Sequence, residues 1–69
     1  MTWEELKQKA TEIGYAVRKT CLGGESLHKG SMWFTEHGEY YIEIDGYTTY
    51  GLARYLKPEH MWQIMEALK

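Results

Sequence analysis

Glu39-Tyr40-Tyr41-Ile42-Glu43-Ile44-Asp45 decides the fold of this chain. In an extended strand, side chains alternate with a period of two. Tyr40, Ile42 and Ile44 therefore share one side, and Glu39, Tyr41, Glu43 and Asp45 share the other. A slip of one residue would bury three carboxylates, so the register is well determined. A strand with one apolar and one charged side belongs in an antiparallel sheet that is covered on a single face.

Working outward, His37-Gly38 is a short turn that joins this strand to Ser31–Thr35 in a hairpin. Met32 and Phe34 point to one side of that second strand and Trp33 to the other. Asp45-Gly46 marks the next turn, and Tyr47–Leu52 reads either as a short edge strand or as an irregular crossing. Tyr15–Thr20 is β-rich and forms the first strand. Between them, Leu22–Gly30 holds Gly23, Gly24 and Gly30 among polar residues and reads as a loop.

Both ends are helical. Thr2-Trp3-Glu4-Glu5 fits a capping box. Trp3, Leu6, Ala10 and Ile13 then form one stripe, and Gly14 stops the helix. Pro58 suits the first position of a last helix, with Glu59 beside its positive end. Met61, Ile64, Met65 and Leu68 form the buried stripe of that helix, flanked by Trp62. The expected fold is a single small α+β domain over residues 1–69. Its order is α-β-β-β-α, with Tyr47–Leu52 as an optional fourth strand, and both helices pack on one face of the antiparallel sheet.

Sixty-nine residues lie near the lower limit for folding without staples. A hydrophobic content of 43%, with three Trp, six Tyr and one Phe, partly offsets the small size. The single Cys21 cannot make an internal disulfide, which fits a reducing compartment. The start of the chain is charged and lacks the apolar core of a secretory signal, and no stretch is long enough for a membrane span. These features indicate a cytoplasmic protein with no membrane association. A formal net charge of −2 argues against simple electrostatic binding of nucleic acid.

Gly30 to Ala53 contains no Lys or Arg, but holds Glu36, Glu39, Glu43 and Asp45 among Trp33, Phe34, Tyr40, Tyr41, Tyr47 and Tyr50. Exposed Glu and Tyr are ordinary on the wet face of a sheet. The expected joint exposure of Trp33 and Tyr41 adds an apolar patch rimmed by carboxylates, which is the composition of a binding surface.

Other motifs carry less chemistry. Lys29 precedes Gly30 and a strand follows, so Gly23–Ser31 does not fit a phosphate-binding loop, which needs Gly-Lys-Ser/Thr opening a helix. His28, His37 and His60 have no metal-ligand spacing with each other or with Cys21, and no metal or cofactor is expected. His37 beside Glu36 and Glu39 has the composition of a carboxylate-oriented base, a juxtaposition that charged turns also produce by accident. No catalytic residue is assigned.

The α-β-β-β-α order resembles that of double-stranded-RNA-binding domains and of the HicA toxins, small ribonucleases of toxin–antitoxin pairs. Lys29-Gly30-Ser31 before Met32-Trp33-Phe34 is similar to the HicA strand motif, in which Gly-Ser precedes the active histidine. Met32 stands at that position here. At the start of the last helix, where the RNA-binding domains have a basic cluster, this chain has Lys57-Pro58-Glu59-His60. In size and charge the chain also resembles small acidic phage proteins that inhibit nucleases.

The preferred expectation is a non-enzymatic regulatory binding module, of phage or mobile-element type. It would dock a basic or nucleic-acid-binding protein through Trp33, Glu39, Tyr41, Glu43, Asp45 and Tyr47. Three alternatives stand beside it. One is an RNA- or DNA-binding domain using Lys7, Lys9, Arg18, Lys19 and Lys29. Another is a degenerate HicA-like ribonuclease in which His28 or His37 replaces the lost histidine. The third is a homodimer formed through the aromatic face.

Overall fold

A computed structural model describes all residues, Met1–Lys69. The elements are α1 (Trp3–Glu12), β1 (Ala16–Lys19), β2 (Glu25–Lys29), β3 (Met32–Thr35), β4 (Tyr40–Ile44), β5 (Thr48–Ala53) and α2 (Pro58–Leu68). The five strands form one antiparallel sheet in the order β1-β2-β3-β4-β5, so every strand pairs with its neighbour in sequence. The α+β class and the single antiparallel sheet are as the residue pattern implies.

One expectation about the strands changes and an open one is decided. Leu22–Gly30 is not a loop, because Glu25–Lys29 is a full strand between β1 and β3. Of the two readings of Tyr47–Leu52, the edge strand is the one found, over Thr48–Ala53 and with a register shift against β4 at Tyr40/Tyr41. The order is therefore α-β-β-β-β-β-α, which differs from the three-stranded order behind the family resemblances above.

The capping box forms as its spacing implies. Thr2 Oγ1 accepts from the Glu5 amide at 3.1 Å, and Glu5 Oε1 accepts from the Thr2 amide at 3.1 Å. After Ile13 the chain reverses at Gly14, whose φ of +100° lies in the left-handed region that glycine tolerates. The Tyr15 amide then closes back on the Ala10 carbonyl at 3.0 Å. Pro58 opens α2, and the Lys57 amide donates to His60 Nδ1 at 3.4 Å. The backbone amide at Glu59 holds its carboxyl below the usual range, as expected for an acid in the first turn of a helix.

One face of the sheet meets the helices. Leu6 and Ala10 of α1, Met61 and Met65 of α2, Leu27 of β2, Phe34 of β3 and Tyr15 form the buried core. Phe34 stacks on Tyr40 with ring centres 4.4 Å apart. Trp3, Ile13, Met32, Trp62 and Ile64 pack around that core. Leu68, read as part of the α2 stripe, is 55% exposed and lies beyond the core.

The helix layer also stops short of the β4–β5 hairpin. Ile44 is 39% exposed and Tyr50 57% exposed, although both stand on the helix side by pairing and alternation. Two helices of ten and eleven residues are too few to roof five strands.

Candidate functional site

The opposite face of the sheet carries no helix and holds a row of aromatic rings. Strand pairing puts His28 opposite Trp33, Trp33 opposite Tyr41, and Tyr41 opposite Gly51. The rings stack face to face along this row. His28 and Trp33 have centres 4.6 Å apart with planes 17° apart, and Trp33 and Tyr41 have centres 6.0 Å apart with planes 3° apart. At the β1 end, Arg18 Nε donates to His28 Nε2 at 2.8 Å, and its guanidinium carbon lies 5.7 Å from the Trp33 ring centre. Cross-strand stacking of this kind stabilises a sheet face that has no second layer.

Trp33 does not stand free, as the alternation suggested. It remains on the open face but is half-buried between His28 and Tyr41, and its indole N–H is buried without a hydrogen-bond partner. The ring faces inside the row are turned toward one another. Only ring edges and the two ends of the row can meet a ligand.

The carboxylates divide by position. Glu43 is half-buried and lies beside Tyr41 on β4, paired with Thr49. Glu39 is exposed just before β4. Its amide donates to Thr35 Oγ1 at 3.2 Å, and the same hydroxyl donates to Glu39 Oε1 at 3.4 Å. Asp45 and Tyr47 sit in the three-residue turn between β4 and β5, where Tyr47 is 86% exposed. Asp45 takes a left-handed φ of +59°, a conformation that Asp tolerates better than most residues. The structure therefore groups Trp33, Tyr41, Glu39 and Glu43, and places Asp45 and Tyr47 apart at the hairpin tip.

None of these carboxylates is neutralised within the chain. The only ion pairs join Lys7 to Glu4 at 3.1 Å and to Glu25 at 3.0 Å, on the helix side of the sheet. Loss of solvation raises the Tyr41 phenol above its usual range, and the charges of Glu39 and Glu43 push in the same direction.

The dispersed cations are largely occupied. Lys7 holds Glu25, Lys9 lies over the Trp62 ring, Arg18 is bonded to His28, and Lys29 donates to the Ile13 carbonyl at 2.8 Å. His37 is exposed in the β3–β4 turn, and the neighbouring Glu36 carboxylate accepts from the Glu25 amide instead of orienting the imidazole. No group of three or more His, Cys, Asp or Glu side chains is arranged to hold a metal ion. No helix is long and apolar enough to cross a membrane.

His28 and Arg18 are site residues that the sequence reading missed, because the segment around His28 was assigned to a loop. The available signal was a five-residue stretch with Leu27 at its centre, bracketed by Gly23-Gly24 and Gly30. Burial lowers the His28 imidazole below its usual range, the Arg18 charge lowers it further, and Glu43 opposes both.

The folded state thus favours neutral His28, and Nε2 must be unprotonated to accept from Arg18. Folding stability should be flat above the ordinary histidine range of about 6.5. It should fall as pH drops from there through the lower folded value, where the unfolded chain takes up a proton first. Thermal melts between about pH 8 and about pH 5 should show this slope, and His28→Gln should flatten it.

No protein-family model, curated protein or solved structure matches this chain.

Proposed function

We propose that the protein is a non-enzymatic binding module of regulatory type that docks a protein with a basic surface through its open sheet face. Glu39 and Glu43 stand beside the edges of the stacked Trp33 and Tyr41 rings, and Asp45 and Tyr47 extend the surface at the hairpin tip. The observation that carries this reading is the absence of any Lys or Arg within ion-pairing distance of Glu39, Glu43 or Asp45. Carboxylates left without counter-charges speed encounter with a basic partner and suppress others, while half-buried aromatics add contact area.

A regulatory or inhibitory role, as in the small acidic phage proteins that the chain resembles in size and charge, suits such a surface. The free, exposed Cys21 suits a reducing, cytoplasmic setting.

The test is charge reversal. Glu43→Lys combined with Asp45→Lys should reduce recovery of a basic partner in affinity capture at least about tenfold, the scale reached when attracting charges become repelling ones. Circular dichroism should show the fold retained, because both side chains lie outside the core. Unchanged recovery from a folded variant would overturn the reading.

A further inference from the structure

The aromatic row breaks off at β5. Tyr41 turns one ring face to Trp33 and the other toward β5, where its paired residue, Gly51, has no side chain to continue the stack. A Cβ built on Gly51 would meet nothing within 4 Å, so this end of the row opens to solvent. Glu39, Tyr41, Thr49, Gly51 and Arg54 line a shallow depression of about 270 Å³ at that place. Arg54 on its rim forms no ion pair with Glu39.

We infer that the gap over Gly51 is a slot for an arginine side chain of the partner, with its guanidinium stacked on the outer face of Tyr41 beside Glu39. Three features of the depression select this group. Its wall is a flat ring, and the slot continues a row of parallel planes, which favours a planar occupant. Its lining includes the Glu39 carboxylate, and Glu43, two residues along β4 from Tyr41, adds a second negative charge nearby, which favours a cation. Arginine is both planar and permanently charged, whereas the lysine ammonium is compact and strongly hydrated. The inference rests on the docking role proposed above and names the partner residue that its central contact takes.

The experiment uses isotope-labelled protein and two blocked peptides, Gly-Gly-Arg-Gly-Gly and Gly-Gly-Lys-Gly-Gly, with nuclear magnetic resonance as the readout. The arginine peptide should shift the Gly51 and Thr49 amides and the Tyr41 ring signals saturably. It should bind about three- to tenfold more tightly than the lysine peptide, as cation–π stacking on a partly desolvated ring allows.

Gly51→Phe should fill the slot with the chain's own ring and abolish binding while the remaining spectrum stays folded. Tyr41→Leu, which removes the stacking face and keeps the strand, should do the same and serves if the first variant does not fold. Equal affinity for both peptides, or binding that survives either folded variant, would overturn the slot and leave the broader acidic docking surface standing. No saturable shift at Gly51 with either peptide would also overturn the slot. Only failure of the charge-reversal capture removes the docking role itself.

Discussion

Phe34→Ala should leave the protein largely unfolded at room temperature. Phe34 is fully buried at the centre of β3, with Leu27 paired on one side and Tyr40 on the other. Its ring stacks on Tyr40 at 4.4 Å and leans on Tyr15 at 6.0 Å. The surrounding side chains come from both helices, so no single element can move in to close the cavity.

Truncating a buried Phe costs about 3–5 kcal/mol. A domain of this length has roughly 3–10 kcal/mol in total, at 0.05–0.15 kcal/mol per residue. Urea titration by circular dichroism should show no cooperative transition, or one with its midpoint near zero denaturant. Phe34→Leu, which keeps most of the volume, should lose less than about 1.5 kcal/mol. A cooperative Phe34→Ala transition close to that of the parent would mean that the core does not centre on this ring.

Gly38→Ala should be nearly as damaging, for a reason that involves no buried side chain. Gly38 has a φ of +96°, and an added Cβ would come within 3.0 Å of the Leu56 carbonyl oxygen and 3.1 Å of the Leu56 nitrogen. Both are backbone atoms and cannot rotate away. The Leu56 amide donates to the Gly38 carbonyl at 2.9 Å, and the Gly38 amide donates to the Thr35 carbonyl at 3.0 Å. This turn therefore fastens the segment leading into α2 to the β3–β4 hairpin.

Left-handed backbone costs a residue with a Cβ about 1–2 kcal/mol. Forcing the turn and Leu56 apart would forfeit a hydrogen bond whose loss costs about 1–3 kcal/mol. A drop of about 2–5 kcal/mol is expected from these two effects together. Gly30→Ala is the control, since it shares a positive φ, here +61°, but its Cβ would meet nothing within 4 Å. It should cost only the backbone strain. Equal losses in the two variants would show that the approach of Leu56 is not the cause.

The legible parts of the fold were those with a strong period or a strong punctuation mark. Tyr40, Ile42 and Ile44 alternate cleanly, and β4 appears as read. Thr2 with Glu5, and Pro58 with Glu59, mark helix starts through side-chain and backbone chemistry that needs no tertiary context.

β2 was not legible, because Ser26, Leu27 and His28 hold one apolar residue among polar ones and lie between Gly23-Gly24 and Gly30. Leu27 becomes a core residue only because β1 and β3 flank it, which is information from pairing rather than from local propensity. The candidate site suffered from the same omission. Trp33 and Tyr41 were placed on the correct face, but the half-burial of Trp33 comes from His28, which cannot be placed beside it without β2. Ile44 and Leu68 were read as buried from their periodicity, yet both are exposed. Period reports which way a residue points and not whether anything lies above it.

Strand order that follows chain order also shapes how the molecule comes into being. During vectorial synthesis each new strand meets a partner already made, separated from it by only a short turn, so zippering needs no distant search. The Met61 and Met65 side chains that share the core with Leu27 and Phe34 belong to α2, which follows all five strands in the chain. The core face of the sheet is therefore completed by residues made after its strands, and apolar surface left bare in that interval is what favours association with other chains.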